Sequence, residues 1–426
     1  MPVKIDPVLC AKCKSSRKLC GRSRCPILVR LTASYRIASK IPRREVYGST
    51  PPSVLIGEWG YPSIRLGVNI PLVIGLKAKE YDFPENWWGR KSLEDIIMLR
   101  SSMIYSSFRA NAKVDARLFK NKLVAELQNI ALSQLPVDTE ALFKKPPILS
   151  LKFDGIVAPI GPRADAVNIK VVGNPKVPRK VDYIVSDIDV DARTASVELY
   201  EYGVSFYHIV RLFSLGLLGE RRFRRIVPTR WAITAIDKIL GDRLLGKIRG
   251  YKEYEKYAVF HVEYVGNRYF LLFVPGGWSF EMLEIWLPRS VWVKRGEALI
   301  VSNYEFFDGR ARLSDVDGGY YAIRFPVLEY LSRIRRKATV VAFREITPNY
   351  YAPIGSWQIR ESIRNALKSK PVLFDSLKNA LKHISSRLYA DTRKVYKKST
   401  LLRMLMEQEK ITKYLKENFK QSRQTS

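Results

Sequence analysis

The four cysteines of this chain all lie within its first 25 residues, in the pattern Cys10-x2-Cys13-x6-Cys20-x4-Cys25. Four thiolates at this spacing suit the tetrahedral coordination of one Zn²⁺ ion. An iron–sulfur cluster is an alternative, since thiolate spacing alone does not exclude it. Two disulfides are the other alternative, but we expect an intracellular protein because the sequence shows no secretion signal. Six lysines and arginines lie between the cysteines, so we predict a basic zinc finger over residues 1–30.

A second group of potential metal ligands is the acidic run Asp187-x-Asp189-x-Asp191. It resembles a calcium-binding loop, but Ala192 stands where such a loop needs glycine. The same carboxylates, together with Asp182, could hold Mg²⁺ for phosphodiester cleavage. A solvated strand edge produces the same pattern, so a catalytic role and a purely structural one both stay open.

Few other residues have the chemistry of a catalytic site. The chain has three histidines, His208, His261 and His383, in unrelated sequence contexts. We expect each to be a packing residue rather than a base or ligand. The sequence also lacks the Gly-x-x-x-x-Gly-Lys-Ser/Thr loop of a P-loop ATPase. Whether the protein is an enzyme therefore stays open.

Two clusters of arginines suit contact with phosphates. Arg221-Arg222-Phe223-Arg224-Arg225 places four guanidinium groups around one aromatic ring, and Arg333, Arg335 and Arg336 lie near the predicted end of a helix. Nucleic acid could be bound at both. The alternatives are a solvated charge run for the first cluster and interaction with the helix dipole for the second.

The C-terminal segment from Gln408 to Leu415 has the pattern Gln-x-x-Ile-x-x-Tyr-Leu. Its apolar members are Ile411, Tyr414 and Leu415. It resembles the peptide by which replication and repair proteins dock on the sliding clamp, PCNA. One turn of 3₁₀ helix would place the three apolar side chains together as a plug for an apolar pocket. The alternative is one face of an ordinary helix that begins near Leu401. In the clamp peptide the last position is usually aromatic, and here it is leucine.

The overall charge indicates a polyanionic partner. The chain has 73 Lys and Arg against 41 Asp and Glu, a net charge of +32. Nucleic acid is the favoured partner over an anionic membrane surface, although a generally basic proteome could account for part of the excess. No uncharged apolar run reaches the roughly 18 residues that a spanning helix needs. We therefore expect no membrane partner and a cytoplasmic, nucleoid-associated location.

The pattern of elements predicts an α+β fold, with mixed strands in the N-terminal and middle parts and a helical, basic C-terminal part. Ser92 and Asp95 form a predicted capping box, residues 192–201 alternate like a strand, and Pro228 with Thr229 marks a helix start. The predicted hairpin covers residues 256–274, and further helices are predicted over about 113–133, 323–338, 356–368 and 372–388. The predicted domains are the zinc module 1–30, two regions over 31–295 and 296–400, and a tail over 401–426.

Several stretches together resemble the archaeal Nre family of DNA repair proteins over nearly the whole chain. They are Lys18–Pro26, Ser49–Val54, Gly60-Tyr61-Pro62, Gly161-Pro162, Asn174–Val181, Val227–Trp231 with Ile233–Ala235, Gly318–Ala322, Arg344–Ile346 and Gly355-x-Trp357-Gln358-x-Arg360-Glu361. The resemblance implies N-terminal and C-terminal Nre regions, a four-cysteine finger, a clamp-binding motif and a role in repairing DNA damage.

The sequence therefore favours a DNA repair factor that binds DNA, carries one structural zinc and is recruited by PCNA. One alternative is a Mg²⁺-dependent repair nuclease that uses Asp187, Asp189 and Asp191. The other is an RNA-binding protein, since basic zinc modules are also common in that class.

Overall fold

The computed structural model describes residues 12, 13, 19, 25, 28, 29, 32, 35, 44–118, 121–148, 160–290, 293, 296–314 and 319–407. Two six-stranded sheets dominate this part of the chain, and a short two-stranded sheet accompanies them. The strands are β1 (Glu45–Thr50), β2 (Val54–Ile56), β3 (Ser63–Pro71), β4 (Met103–Asn111), β5 (Val137–Phe143), β6 (Arg163–Val171), β7 (Lys252–Glu253), β8 (Tyr257–Tyr264), β9 (Asn267–Val274), β10 (Ser279–Trp286), β11 (Leu299–Glu305), β12 (Arg336–Lys337), β13 (Thr339–Ile346) and β14 (Val372–Phe374).

Helices connect and cover these sheets. They are α1 (Pro84–Trp87), α2 (Leu93–Ser101), α3 (Asp115–Leu118), α4 (Lys122–Leu132), α5 (Arg179–Ser186), α6 (Ala192–Glu201), α7 (Phe206–Ser214), α8 (Thr229–Ile248), α9 (Tyr320–Ile334), α10 (Trp357–Ala366), α11 (Leu377–Ser385), α12 (Thr392–Lys398) and α13 (Thr400–Glu407), with 3₁₀ turns at Leu76–Asp82 and Arg221–Phe223. The mixture of helices and strands confirms the predicted α+β class.

The first sheet has the strand order β1-β5-β6-β4-β3-β2, with β4 and β6 as its parallel pair. Ile64, Leu66, Val68 and Ile70 alternate along β3 and are fully buried. This period of two places them on one face of the sheet. They belong to a large core cluster that also includes residues of α4 and α7–α9.

The second sheet has the order β11-β10-β13-β9-β8-β14, with β10 and β13 parallel. One face joins the large core cluster, and the other packs against α11–α13. The predicted hairpin is confirmed as β8 and β9, and its turn residues Val265 and Gly266 both have positive φ. The predicted domain division after residue 295 falls between β10 and β11, two paired strands of this sheet, and it stays a prediction.

Local signals for helix starts are confirmed at two positions. Ser92 and Asp95 form the predicted capping box of α2, and α8 begins at Thr229. The predicted strand over 192–201 is wrong, because this segment is helix α6. Asp191 caps it by accepting hydrogen bonds from the N–H groups of residues 193 and 194.

The C-terminal helices begin and end at different residues from those predicted. Helix α9 begins at Tyr320 and ends at Ile334, where Arg335 adopts a left-handed conformation. The predicted helix over 372–388 is divided into the edge strand β14 and helix α11. Among the described residues, no helix is long and apolar enough to cross a membrane.

Candidate nucleic-acid interface

The predicted zinc ligands lie partly outside the described residues. Cys10 and Cys20 belong to the segment that the structure does not describe, whereas Cys13 is buried and Cys25 is half-buried. The Cys13 Sγ accepts a hydrogen bond from the backbone N–H of Leu19 at 3.4 Å. Such N–H···S bonds are the kind of outer contact that orients and stabilises a thiolate ligand. The zinc site itself therefore stays a prediction.

The arginine run at 221–225 is not uniformly exposed. Arg221, Arg222 and Arg225 lie on the surface, and the Arg222 guanidinium lies 4.6 Å from the centre of the Phe223 ring. Arg224 is only 7% exposed. Its guanidinium donates to the backbone carbonyls of residues 185, 187 and 219 at 2.7–2.9 Å. The prediction of a phosphate contact for Arg224 is corrected to a structural role, because its donors are already used inside the fold.

The second arginine group lies at the end of α9, as predicted from the sequence. Arg333 and Arg335 are exposed and Arg336 is partly exposed. Arg336 pairs with Glu255 at 3.2 Å, and Arg335 is the C-cap of the helix. Positive charge at this end also suits the helix dipole, so the structural alternative for this cluster stays open beside phosphate binding.

The acidic run of the nuclease alternative serves the local backbone. Asp187 accepts hydrogen bonds from the N–H groups of Asp189 and Val190 at 3.0 and 3.2 Å, and Asp191 is the N-cap of α6. Hydrogen bonds from Thr194 and the first-turn amides lower the pKa of Asp191. Within the described part of the chain, no three or more His, Cys, Asp or Glu residues are grouped so that they could hold a metal.

The three histidines are in packing environments, as the sequence analysis expects. His208 is buried in α7, His261 stacks on Phe270 at 4.4 Å, and the ring centroids of His383 and Phe374 are 5.1 Å apart. Burial is the main cause that lowers the pKa of all three histidines, to about 3 for His208.

The residues of the predicted clamp motif, Gln408, Ile411, Tyr414 and Leu415, lie outside the described residues. The helix that precedes them, α13, is well anchored. The buried carboxylate of Glu281 accepts hydrogen bonds from the N–H groups of Thr400 and Leu401 at 2.8 and 3.0 Å and from the hydroxyls of Ser302 and Ser399. A carboxylate at a helix N-terminus satisfies amides that have no partner within the helix.

The structure also shows an exposed aromatic cluster that was not predicted from the sequence, at the point where Tyr61 meets Trp231. Trp59 and Tyr61 lie in the turn between β2 and β3, and Trp231 lies in the first turn of α8. Trp59, Tyr61 and Trp231 are 88%, 37% and 47% exposed, respectively. The ring centroids of Tyr61 and Trp231 are 5.5 Å apart. The aromatic residues of this Gly- and Pro-rich turn were the available signal, but the proximity of Trp231 depends on the tertiary fold.

Two backbone hydrogen bonds and one hydrogen bond to a side chain join the three segments around this cluster. The N–H of Ala112 donates to the carbonyl of Pro62 at 2.8 Å, and the N–H of Ile226 donates to the carbonyl of Ala112 at 2.9 Å. The N–H of Ile56 donates to Oγ1 of Thr229 at 2.9 Å. The aromatic turn, the end of β4 and the start of α8 therefore lie side by side.

These features define a basic α+β protein with exposed arginine clusters and an exposed aromatic cluster on its described part. Residues 19–293 match the family described as "Archaeal Nre, N-terminal", and residues 305–414 match "Archaeal Nre, C-terminal". The chain belongs to the archaeal Nre family of DNA repair proteins, which confirms the resemblance drawn from its motifs.

Relatives from two archaea match nearly the whole chain. The DNA repair protein NreA of Archaeoglobus fulgidus is 40% identical over 385 residues, which cover 89% of this chain and 94% of that protein. The DNA repair protein NreB of the same organism is 35% identical, over 92% of this chain and 97% of that protein. The DNA repair protein NreA of Haloferax volcanii is 30% identical, over 86% and 88% of the two chains. No solved structure matches the chain.

Proposed function

We propose that this protein is a DNA repair factor that binds DNA through its basic surface and is recruited to its sites by the sliding clamp. The observation that carries this proposal is the similarity to the DNA repair protein NreA over 94% of that protein's length. The net charge of +32 supports DNA as the ligand, because a protein that neutralises phosphates releases their counterions.

The DNA-binding surface that we propose uses the exposed arginines of both predicted clusters. They are Arg221, Arg222, Arg225, Arg333 and Arg335, with Arg336 partly exposed. Arg224 is left out because it is buried. These side chains would contact the phosphate backbone, and such contacts provide affinity without reading the base sequence.

One zinc ion would be held by Cys10, Cys13, Cys20 and Cys25. The burial of the Cys13 thiol and its hydrogen bond from Leu19 support this assignment. The zinc would organise the N-terminal module and take no part in chemistry, since four protein ligands leave no open position on the metal.

Recruitment would use Gln408, Ile411, Tyr414 and Leu415. The anchored helix α13 is described as far as Glu407, and the motif begins at the next residue in the sequence. A docking peptide that follows an anchored helix would hold the DNA-binding body close to the clamp.

DNA binding is tested by fluorescence anisotropy of labelled DNA at several salt concentrations. We expect a steep salt dependence, and the variant R221E/R225E should lower the log–log slope by about 2, since each phosphate contact contributes about 0.9. A matched control is K397E/K398E, which changes the net charge equally at exposed positions of α12. An affinity that does not change with salt would refute the proposed basic DNA-binding surface.

Clamp recruitment is tested by calorimetry with purified PCNA. Burying each apolar side chain contributes roughly 1.5–3 kcal/mol, so Y414A/L415A should raise Kd by at least about a hundredfold. The control E409A/T412A changes two positions of the same segment that lie between the motif residues and should bind as wild type does. Equal affinity of wild type and Y414A/L415A would rule out this docking mode.

A further inference from the structure

We propose that the exposed cluster of Trp59, Tyr61 and Trp231 is a stacking platform for the unpaired bases of single-stranded DNA. This inference rests on the proposed function and specifies the form of DNA that the protein binds. The platform's aromatic residues were not among the DNA contacts predicted from the sequence, and it shares Arg225 with the predicted arginine run.

The first observation is the exposure of the rings. Trp59 is 88% exposed, more than the other large hydrophobic residues on the described surface. Single exposed apolar residues are ordinary, but a group of them marks a binding surface. The rings of Tyr61 and Trp231 are in contact, with their planes tilted by 44°. Trp59 lies two residues before Tyr61 in the same turn. The cluster therefore presents ring surface that the fold does not use.

The second observation is that the platform is held in place before any ligand binds. The Glu58 carboxylate accepts hydrogen bonds from Nε1 of Trp231 at 3.2 Å and from the Arg230 guanidinium at 3.1 Å. Gly60 has a φ of +82°, and a Cβ at this position would lie 2.9 Å from the carbonyl oxygen of Ser63. The turn that carries Trp59 and Tyr61 thus requires glycine. Such preorganisation lowers the entropy that binding must overcome.

The third observation is the charge around the rings. Arg109, Lys113, Arg225 and Arg230 are exposed, and the backbone bonds between residues 62, 112 and 226 bring their segments together. Glu58 is the acidic residue beside the rings, and its two carboxylate oxygens accept from Arg230 and Trp231. Aromatic rings flanked by cations are the combination that binds single strands, with stacking for the bases and positive charge for the phosphates.

A single strand fits this surface better than a duplex does. In a duplex each base face is covered by its neighbours in the stack, so an exposed ring has no base face to contact. Unpaired bases can turn outward and stack on an aromatic ring irrespective of their sequence. We therefore expect binding that depends on strand form and only weakly on sequence.

The test uses the full-length protein and labelled oligothymidylate of about 20 nucleotides, longer than the ~4–16 that one single-strand module covers. A duplex of equal length and oligouridylate are the comparison ligands. The variants are W59A, W59F and the control Y202A, which removes a ring that is 69% exposed at the end of α6. Anisotropy gives the affinity, tryptophan fluorescence reports stacking, and thermal melting confirms that each variant is folded.

We expect W59A to weaken binding of the single strand by about tenfold or more, as for loss of one stacked base. The decrease in tryptophan fluorescence that accompanies binding of the single strand should be smaller in W59A than in the wild type, and its Kd for the duplex should stay within about twofold. W59F should keep most of the affinity for the single strand because it keeps a ring. Y202A should behave as wild type.

Other outcomes would overturn the inference in distinguishable ways. Unchanged single-strand binding by W59A, or equal losses for single strand and duplex, would remove the platform but leave the proposed DNA binding intact. Tighter binding of oligouridylate than of oligothymidylate would assign the site to RNA. Failure of the wild type to bind any DNA at low salt would instead refute the proposed function itself.

Discussion

Arg360 shows how much of the positive charge of this protein is used inside the fold. It is 1% exposed, and its guanidinium donates to both carboxylate oxygens of Asp237, at 3.0 and 2.5 Å. The same group lies 3.9 Å from the centre of the Phe206 ring. Arg344 is similarly buried and donates to Glu284 and, at 2.9 and 3.1 Å, to Asn267. These arginines join helices and strands and cannot contact DNA.

Removing the partner of Arg360 should strongly destabilise the protein. The variant D237A leaves a buried guanidinium without its counter-charge, which costs about 3–5 kcal/mol. Chemical denaturation measures this loss. The control R243A removes an exposed ion pair of the same helix and should cost less than about 1 kcal/mol. The double variant D237A/R360M should recover part of the stability because it removes the unpaired charge; no recovery would argue against this explanation.

His208 should make the stability depend on pH. Its pKa in the folded protein is lowered to about 3 by burial and by the nearby Arg211, whereas an unfolded histidine titrates near 6.5. Between these values the unfolded state binds the proton and the folded state does not, so stability is complete above about 6.5 and is lost as the pH falls. From pH 6.5 to 5 the loss should be about 2 kcal/mol, measured by denaturation at each pH. H208Q should flatten this dependence; an unchanged slope would show that other groups cause it.

The helices whose start could be predicted are the ones marked by a local sequence signal. The Ser92–Asp95 capping box and the helix start at Thr229 are confirmed because the residues that fix them are neighbours in sequence. The predicted strand over 192–201 is wrong because Asp191 caps a helix there, and its local hydrogen bonds determine the structure more strongly than the alternating pattern does. Signals of this kind fix single elements and leave their arrangement open.

The arrangement of the elements and the aromatic cluster could not be predicted in the same way. Strands β10 and β13 pair in parallel although α9 and other elements separate them in sequence, and such crossovers leave no short-range pattern. The contact between Tyr61 and Trp231 joins residues far apart in sequence. Sequence motifs identified both segments as carriers of the family resemblance but did not place them side by side.

The position of α13 should depend on Glu281. Its carboxylate accepts hydrogen bonds from two backbone N–H groups at the start of this helix and from two hydroxyls. In the variant E281Q, the side-chain NH₂ group would replace one of the accepting oxygens, and the N–H and O–H groups that it faces would lose their acceptor. E281Q should therefore cost about 1–3 kcal/mol. Hydrogen exchange should become faster at residues 400–402. The control E297Q changes a carboxylate that is 78% exposed and pairs with Lys394; equal exchange in both variants would contradict the anchoring role.

For the molecule as a whole, the cores and the cysteine module should be separable. Among the described residues, the three core clusters have many buried members in the part of the chain from Val46 onward. Among the described residues of the N-terminal segment, Val29 makes a partial contact with one of these clusters. A body that has its own cores does not need the module to fold.

The substitution C13S should therefore remove the zinc and leave the stability of the rest of the protein unchanged. Elemental analysis should find one zinc per wild-type chain, and C13S should lose it, since a structural zinc contributes on the order of 10 kcal/mol to its own module. The main melting transition should be unchanged, because it reports the two sheets and their helices. S23A, a change between Cys20 and Cys25, should keep the metal. Disulfides and no metal in the fresh protein would refute the zinc site, whereas a large fall in melting temperature for C13S would show that module and body form one folding unit.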